Sequence, residues 1–407
     1  MKKFLTLILI SFASALGAQW FPINTAFSYY YFSSAKLNTD TLFVAGFDNS
    51  TSLGRIIYTN NSGANWTDLT LPANTPQLYA VNFPDANNGF AAGQNGTILK
   101  TNNLGFTWTA LSSGTTQQFT NLYFLDKDTG YAAGSNGMLL KTTNNGANWN
   151  ALATNTSMII HSVCFPTPAT GYYVAYGNPL ASGIIMKSTD YGNSWSAQSS
   201  PLFGSLYIRG QKVLFTSQDT GFIVGLGGAM LRTYDGGLNW QKMGAAQTTN
   251  NINDIAFTPN GKAIMAGANG TILKTEDFGN TIADAGSLPT VTEYYSVNMV
   301  SDQLGFCFGT NGGAIKTNSV FAGINENYFE NSFSVFPNPT EGFLKIYSNS
   351  EISSVKIFST EGKTVFSEKF HNKIFKTEIN LSSLKNGIYF IEINSNGKTE
   401  RKEFIKQ

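Results

Sequence analysis

Gly137-Met138-Leu139-Leu140-Lys141-Thr142-Thr143-Asn144-Asn145-Gly146-Ala147-Asn148-Trp149 is the stretch that decides the reading of this 407-residue chain. Its pattern is a Gly, a short apolar run with a basic residue, then Thr-x-Asn-x-Gly-x-x-Trp. The same pattern runs from Gly54 to Trp66, Gly96 to Trp108, Gly183 to Trp195, Gly228 to Trp240 and Gly270 to Ile282. The end points 66, 108, 149, 195, 240 and 282 are spaced by 42, 41, 46, 45 and 42 residues. A seventh copy opens at Gly312, reaches Ala314-Ile315-Lys316-Thr317 and stops. Each period divides into four short apolar segments separated by Gly, Asn and Asp turns, as in Tyr79–Phe83, Gly89–Ala92, Thr97–Lys100 and Trp108–Leu111. No segment sustains the 3.6-residue periodicity of a helix. Four strands per 40–45 residues make one propeller blade, because radial packing then buries both faces of every sheet.

The unfinished seventh copy lacks an outer strand, and the start of the mature chain supplies one. Trp20-Phe21-Pro22-Ile23 has the same character as Trp66-Thr67-Asp68-Leu69. Pairing it onto the sheet that ends at Thr317 closes a seven-bladed ring over residues 19–318 and removes two open sheet edges.

Upstream, Lys2 and Lys3, the apolar run Phe4–Phe12 and the small residues Ala15-Leu16-Gly17-Ala18 read as a signal peptide cleaved before Gln19. The run is too short to span a membrane, and no later segment approaches the required length, so no transmembrane span is expected. Composition agrees with an exported all-β protein: 40 Gly, 14% aromatic residues and only 13% charged residues. A net charge of +1 offers no attraction to nucleic acid or to an anionic membrane. Cys164 and Cys307 lack metal spacing and lie on strands too far apart for a disulfide.

Charge density changes after residue 318. Residues 19–332 hold 13 basic and 17 acidic side chains, whereas residues 333–407 hold 11 and 8 in a quarter of the length. Residues 319–332 read as a polar linker. The tail reads as a small Ig-like β-sandwich with seven strands, 333–336, 343–347, 354–358, 364–370, 375–379, 387–393 and 399–405.

Two resemblances follow from these residues. The turns carrying Asn61/Trp66, Asn103/Trp108, Asn144/Trp149, Asp190/Trp195, Asp235/Trp240 and Asp277 resemble the Asp-box, or BNR repeat, of sialidases and other propellers. Within that group, Thr129–Gly134 followed by Asn136–Thr142 resembles the Ycf48/Hcf136-type propellers, which are photosystem II assembly factors. That resemblance implies the fold. It does not carry the photosynthetic function here, because Arg55, Arg209 and Arg232 are the propeller's only arginines. In the tail, Val335-Phe336-Pro337-Asn338-Pro339-Thr340-Glu341-Gly342, Gly362-Lys363, Leu381–Tyr389 with Gly387 and Tyr389, and the basic ending from Gly397-Lys398 through Lys402 to Lys406 resemble the type A sorting domain of the type IX secretion system. This implies export through the outer membrane to the cell surface or beyond, with the secretion machinery as a partner.

The physics of the box residues is local. The Asn or Asp accepts backbone N–H groups, the Gly takes a left-handed backbone, and the Trp packs between blades, each worth about 2–3 kcal/mol of burial. The box joins the third strand to the fourth, on the same face as the turns between first and second strands. A ligand is therefore expected on the opposite, loop-rich face. Candidate contacts there are Tyr176, Phe203, Tyr207 and Arg209, on the long connections of blades 4 and 5, together with Asp254 and Glu293. A sialidase needs an arginine cluster to grip a carboxylate, a Tyr nucleophile with a carboxylate partner and a separate acid, and other glycosidases need two facing carboxylates. Arg55 and Arg232 read as repeat residues on third strands, and Asp85, Asp126, Asp128 and Asp219 fall in turns on the box face. One propeller His, His161, builds no metal site. The expectation is a monomeric, non-catalytic binding or scaffold propeller for glycan or protein, without cofactor or metal. The alternative is a divergent sialidase- or xyloglucanase-like hydrolase.

Overall fold

The structure, a computed structural model, describes residues 20–177, 183–201, 209–244, 248–258, 260–286, 293–318, 321, 333–348, 351–370, 372, 374–395 and 398–407. The expected signal peptide, most of the expected linker, Phe203, Tyr207 and Gly397 lie outside them. The chain divides into two compact units, one ending at Gly323 and one beginning at Ile324.

The first unit contains seven four-stranded antiparallel sheets. With strands lettered A to D outward, blade 2 is Leu78–Asn82, Gly89–Gly93, Ile98–Thr101 and Thr109–Leu111. Blades 1 and 3 to 6 repeat this order, with A strands Tyr29–Lys36, Phe119–Phe124, Ile159–Cys164, Gly210–Phe215 and Ile252–Phe257. Blade 7 has Tyr294–Met299, Gly305–Gly309 and Ala314–Thr317, and its fourth strand is Phe21–Pro22. Phe21 pairs with Lys316 and Pro22 with Ile315, and Ile23 N donates to Ala314 O at 2.9 Å. Trp20 is buried in the core of blades 6 and 7, and its indole Nε1 donates to Ala285 O at 3.0 Å. The ring is thus closed by the first described residues. Phe321, inside the stretch expected to be linker, is buried in this same core.

Stacking between blades follows from the sequence period. In blades 2 to 6 an aromatic at or just past the end of the A strand lies on the B-strand ring of the preceding blade. Phe83 stacks on Phe43 at 3.9 Å, Phe124 on Phe90 at 4.3 Å, Phe165 on Tyr131 at 4.0 Å and Phe215 on Tyr172 at 4.2 Å. The box Trp of the same blade meets that ring edge-on, as in Phe124–Trp149 and Phe215–Trp240. B strands such as Gly89–Gly93 are buried along their whole length, which explains their unbroken runs of small and apolar residues.

The box turns are held as the sequence predicts. Gly105 N donates to Thr101 Oγ1 at 3.0 Å and Thr107 N to Asn103 Oδ1 at 3.0 Å, and the pattern recurs around Asn61, Asn144, Asp190, Asp235 and Asp277. In blades 1 to 5 the box turn also bonds to the A–B turn of its own blade, as in Asn145 N to Asp128 O and Gly236 N to Asp219 O, so boxes and A–B turns share one face. The basic residue of the repeat reaches forward in blades 2 to 5: Lys100 Nζ donates to Asn145 O, Lys141 Nζ to Tyr191 O, Lys187 Nζ to Gly236 O and Arg232 to Phe278 O, tying these C strands to the next blade's box. Arg232 therefore stands in the repeat's Lys place. Arg55 does not, because Tyr58 pairs with Phe43 where Lys100 pairs with Phe90.

The second unit packs a three-stranded sheet (Phe333–Phe336, Phe343–Ser348, Lys376–Asn380) and a four-stranded sheet (Ile352–Ser359, Thr364–Lys369, Gly387–Ser395, Lys398–Lys406) around one apolar core, a small β-sandwich. All seven expected strands are present, with several ends shifted by one or two residues. Pro337, Asn338 and Pro339 are exposed at its edge, and Asn338 Oδ1 accepts Ile405 N–H at 2.8 Å. Thr340 N donates to Ile405 O and Leu381 N to Gly342 O. Gly362 takes φ +79° in its turn. Gly387 pairs with Lys406, Tyr389 donates to Lys385 O at 2.9 Å, Lys398 pairs with Ser395, and Lys402 lies over the Phe333 ring.

Candidate functional site

Every A strand carries one extra residue. Tyr31 pairs with Gly46 and Ser33 with Ala45, leaving Phe32 unpaired. The same bulge leaves out Tyr79, Thr120, His161, Gln211, Asn253 and Tyr295 in blades 2 to 7. A bulge bends its strand and re-aims a side chain. Its position is fixed by a close approach of backbones. A Cβ on Gly134 would lie 2.0 Å from Gln118 O, and on Gly93, Gly267 or Gly309 it would lie 1.9 Å from the matching carbonyl. Blade 4 alone places Ala175 there, opposite Ile160.

These residues sit beside the B–C turns and just after the D–A connections, so they ring the mouth of the central channel on the loop face, opposite the boxes. The ring has two unlike arcs. Across blades 7, 1 and 2 it is aromatic: Phe32 lies 4.6 Å from Tyr295 and 5.1 Å from Tyr79, and Phe47 stacks against Phe32 at 5.7 Å and Tyr30 at 5.2 Å. All five rings are half-buried. Polar groups hold their edges. Gln94 Nε2 donates to Tyr79 Oη at 3.0 Å, Tyr79 donates to Gln77 Oε1 at 2.6 Å and Tyr295 to Glu293 Oε2 at 2.8 Å. Across blades 3 to 6 the arc is polar, with Thr120, His161, Gln211 and Asn253.

Of the residues expected at the site, Tyr176, Arg209 and Glu293 come to this mouth. The Tyr176 hydroxyl is pushed up to about 12, first by burial, with the charges of Arg209 and Glu293 acting on it in opposite senses. The Tyr176 ring stacks on His161 at 3.9 Å. Burial drops His161 to about 4, so it is neutral at physiological pH. Asp254 is placed differently. It is buried in the middle of its A strand, accepts Val297 N–H at 2.9 Å and Ile255 N–H at 3.0 Å, and pairs with Lys212 at 3.4 Å. Glu293 instead accepts from Asn253 at 2.9 Å, four residues earlier than Val297 along blade 7.

Sequence reasoning missed a second group. A cleft of about 420 Å³ between blades 7 and 1 is lined by Phe27, Tyr29, Asp48, Ser50 and Asn311, next to the aromatic arc. Tyr29 donates to Asp68 at 2.9 Å and lies under Arg55, which pairs with Asp48 at 3.6 Å. Burial, then the bond to Asp68, pushes the Tyr29 hydroxyl up to about 12. The bond from the Ser50 hydroxyl leads the effects that hold Asp48 down at about 2. The signal that could have found this region is Tyr29-Tyr30-Tyr31-Phe32, a run of four aromatics at the start of one blade. Among the described residues no cluster of His, Cys, Asp and Glu is arranged to hold a metal, and Cys164 and Cys307 are buried free thiols. No helix among them is long and apolar enough to cross a membrane.

Comparison with known proteins agrees with this architecture. Residues 58–206 and 145–248 match the model of the photosynthesis system II assembly factor YCF48, and residues 334–407 match the secretion system C-terminal sorting domain. A structure of YCF48 bound to a D1 peptide superposes with TM-score 0.60 at 19% identity, over 74% of this chain and 97% of that one. YCF48 from Cyanidioschyzon merolae gives 0.59 at 17%, over 74% and 99%. PorZ, an essential surface component of the type IX secretion system of Porphyromonas gingivalis, gives 0.53 at 14%, over 93% of this chain and 59% of PorZ. No curated protein matches by sequence.

Proposed function

From a YCF48-like propeller joined to a type IX sorting domain, we propose an exported protein that binds a glycan at the channel mouth and performs no chemistry on it. The observation that carries this reading is the divided bulge ring. Half-buried aromatic rings on one arc and amide, hydroxyl and imidazole groups on the other suit the apolar face and hydroxyl rim of a pyranose. The adjoining cleft beside Tyr29 extends the surface for a second sugar unit. Arg209 and Tyr176 border the polar arc and add hydrogen-bonding groups.

Binding is favoured over hydrolysis by the lone arginine at the Tyr29–Asp68 pair. A sialidase grips its substrate carboxylate with a cluster of arginines, and among the described residues Arg55 alone lies against the Tyr29 ring. Asp254 and Glu293 are each committed to hydrogen bonds and face different neighbours. A peptide ligand is the second reading, favoured by the similar propeller whose structure holds one. Export is the role of the tail: removing residues 333–407 is expected to leave the propeller in the periplasm, and normal surface delivery of that truncation would refute this.

The test of the mouth is a glycan array on the full chain, followed by titration of the best ligand against Phe32→Ala, Tyr79→Ala and Tyr295→Ala. Each is expected to weaken binding by about tenfold or more. A ligand whose affinity none of the three changes overturns the assignment. A peptide that binds where no glycan does replaces the ligand class and leaves the mouth in place.

A further inference from the structure

The other end of the channel, on the box face, holds a cavity of about 380 Å³. It is lined by the far halves of A strands from blades 1, 2, 3, 5, 6 and 7, including Ser34, Lys36, Asn82, Asn121, Lys212 and Asn298. The hydrogen bonds already made there leave mostly donors. Asn121 lines the cavity, and its Oδ1 is taken by Val163 N–H at 3.1 Å, which leaves its NH2 group to donate. Lys36 Nζ spends one proton on Met299 O at 3.1 Å and keeps two. Asn82 makes no side-chain hydrogen bond among the described residues. The acid nearest the cavity, Asp254, has both oxygens occupied, by Ile255 N–H and Lys212 on one and Val297 N–H on the other. Two ammonium groups therefore stand against one satisfied carboxylate. Lys36 is exposed overall, but partial burial of its ammonium lowers it below its ordinary value, and a negative partner would restore it.

We infer that this cavity is a second binding site, separate from the mouth, for a small organic oxyanion held by Lys36, Lys212 and the amides of Asn82 and Asn121. The common chemistry is a carboxylate or phosphate group with further oxygens for the amides, in a space large enough for one hexuronate. The site belongs to the axis of the ring, so it is assembled only when the propeller closes.

The test is calorimetric titration of the full chain with D-glucuronate, inorganic phosphate and D-glucose at low and at raised salt. The expectation is that at least one oxyanion binds with a Kd of about 1 mM or tighter and weakens severalfold as salt screens the charges. Glucose heats, if any, are expected to be lost in Phe32→Ala, while oxyanion binding is unchanged there. Lys36→Gln is expected to weaken the oxyanion about tenfold, and Asn82→Leu by a smaller factor. Glucuronate binding without phosphate assigns a carboxylate ligand, and the converse assigns a phosphate. Absence of both up to about 10 mM, or binding insensitive to salt and to Asn82→Leu, overturns the site. Should Lys36→Gln fail to fold, those two readouts decide alone.

Discussion

The box turns on one face and the bulge ring on the other are both repeated around the same axis, yet they teach opposite lessons. At the boxes the residue repeats: Thr or Ser, Asn or Asp, Gly and an aromatic recur because each copy must satisfy the same backbone groups and fill the same gap between blades. At the mouth the geometry repeats and the residue does not. The bulge itself is held by backbone and by glycines such as Gly134, so the side chain it carries is free to vary, from Phe32 to Thr120 to Asn253. Constant residues mark the scaffold, and variable residues on a constant backbone mark the place where a ligand can be selected.

Deleting Trp20–Ile23 should have the largest effect on this comparison. It removes the outer strand of blade 7 and a buried indole, at a cost of about 3–5 kcal/mol, and scanning calorimetry should show one cooperative transition lowered by on the order of 10 °C. An unchanged transition would show that the ring does not depend on its closure. Next is Gly134→Ala, which brings a Cβ against Gln118 O. Denaturant titration should register a loss of about 2–3 kcal/mol, and reduced ligand binding at the mouth should accompany it, whereas Ala175→Gly should cost less than 1 kcal/mol, both on the order of known packing effects.

Smaller again is His161→Gln. Because the folded imidazole is pushed below its unfolded value, its contribution is whole above pH 6.5 and is lost as pH falls from there through about 4. Melting curves between pH 7 and 4 should be flatter for the variant; equal slopes would mean that His161 is solvated. The smallest effect is Asp190→Asn at a box. Hydrogen bonds led by the Ser194 hydroxyl hold Asp190 at about 2, so its contribution is present above roughly pH 4 and fades as pH falls toward 2. The variant should melt like the parent at pH 2 and slightly below it at pH 6. Since three other boxes already use Asn, a large deficit at pH 6 would show that this position does more than hold a turn.

Much of the molecule was legible in the chain because its decisive interactions are local. Thr101, Asn103 and Gly105 meet within one turn, and their spacing alone announces it. The unfinished repeat at Ala314–Thr317 and its match to Trp20–Ile23 were enough to require closure, since an unpaired strand edge must be covered. Leu381–Tyr389 and the Pro337-Asn338-Pro339 motif were likewise readable as a sorting domain. The site was less legible. Tyr176, Arg209 and Glu293 do reach the mouth, but nothing in the repeat singles out Phe32, Tyr79 and Tyr295, and Asp254, expected on the loop-rich face, instead caps Val297 N–H inside the ring.

The sequence by itself determined the repeat, the number of blades, the chemistry of the box turns and the tail, because each depends on residues a few positions apart or on a period countable along the chain. Only the tertiary structure decided which residue in each A strand bulges, that an aromatic arc faces a polar one, and that lysines and asparagines from separate blades share one cavity on the axis. Those facts depend on register against a partner strand and on the convergence of segments about forty residues apart, and neither is written in the local order of side chains.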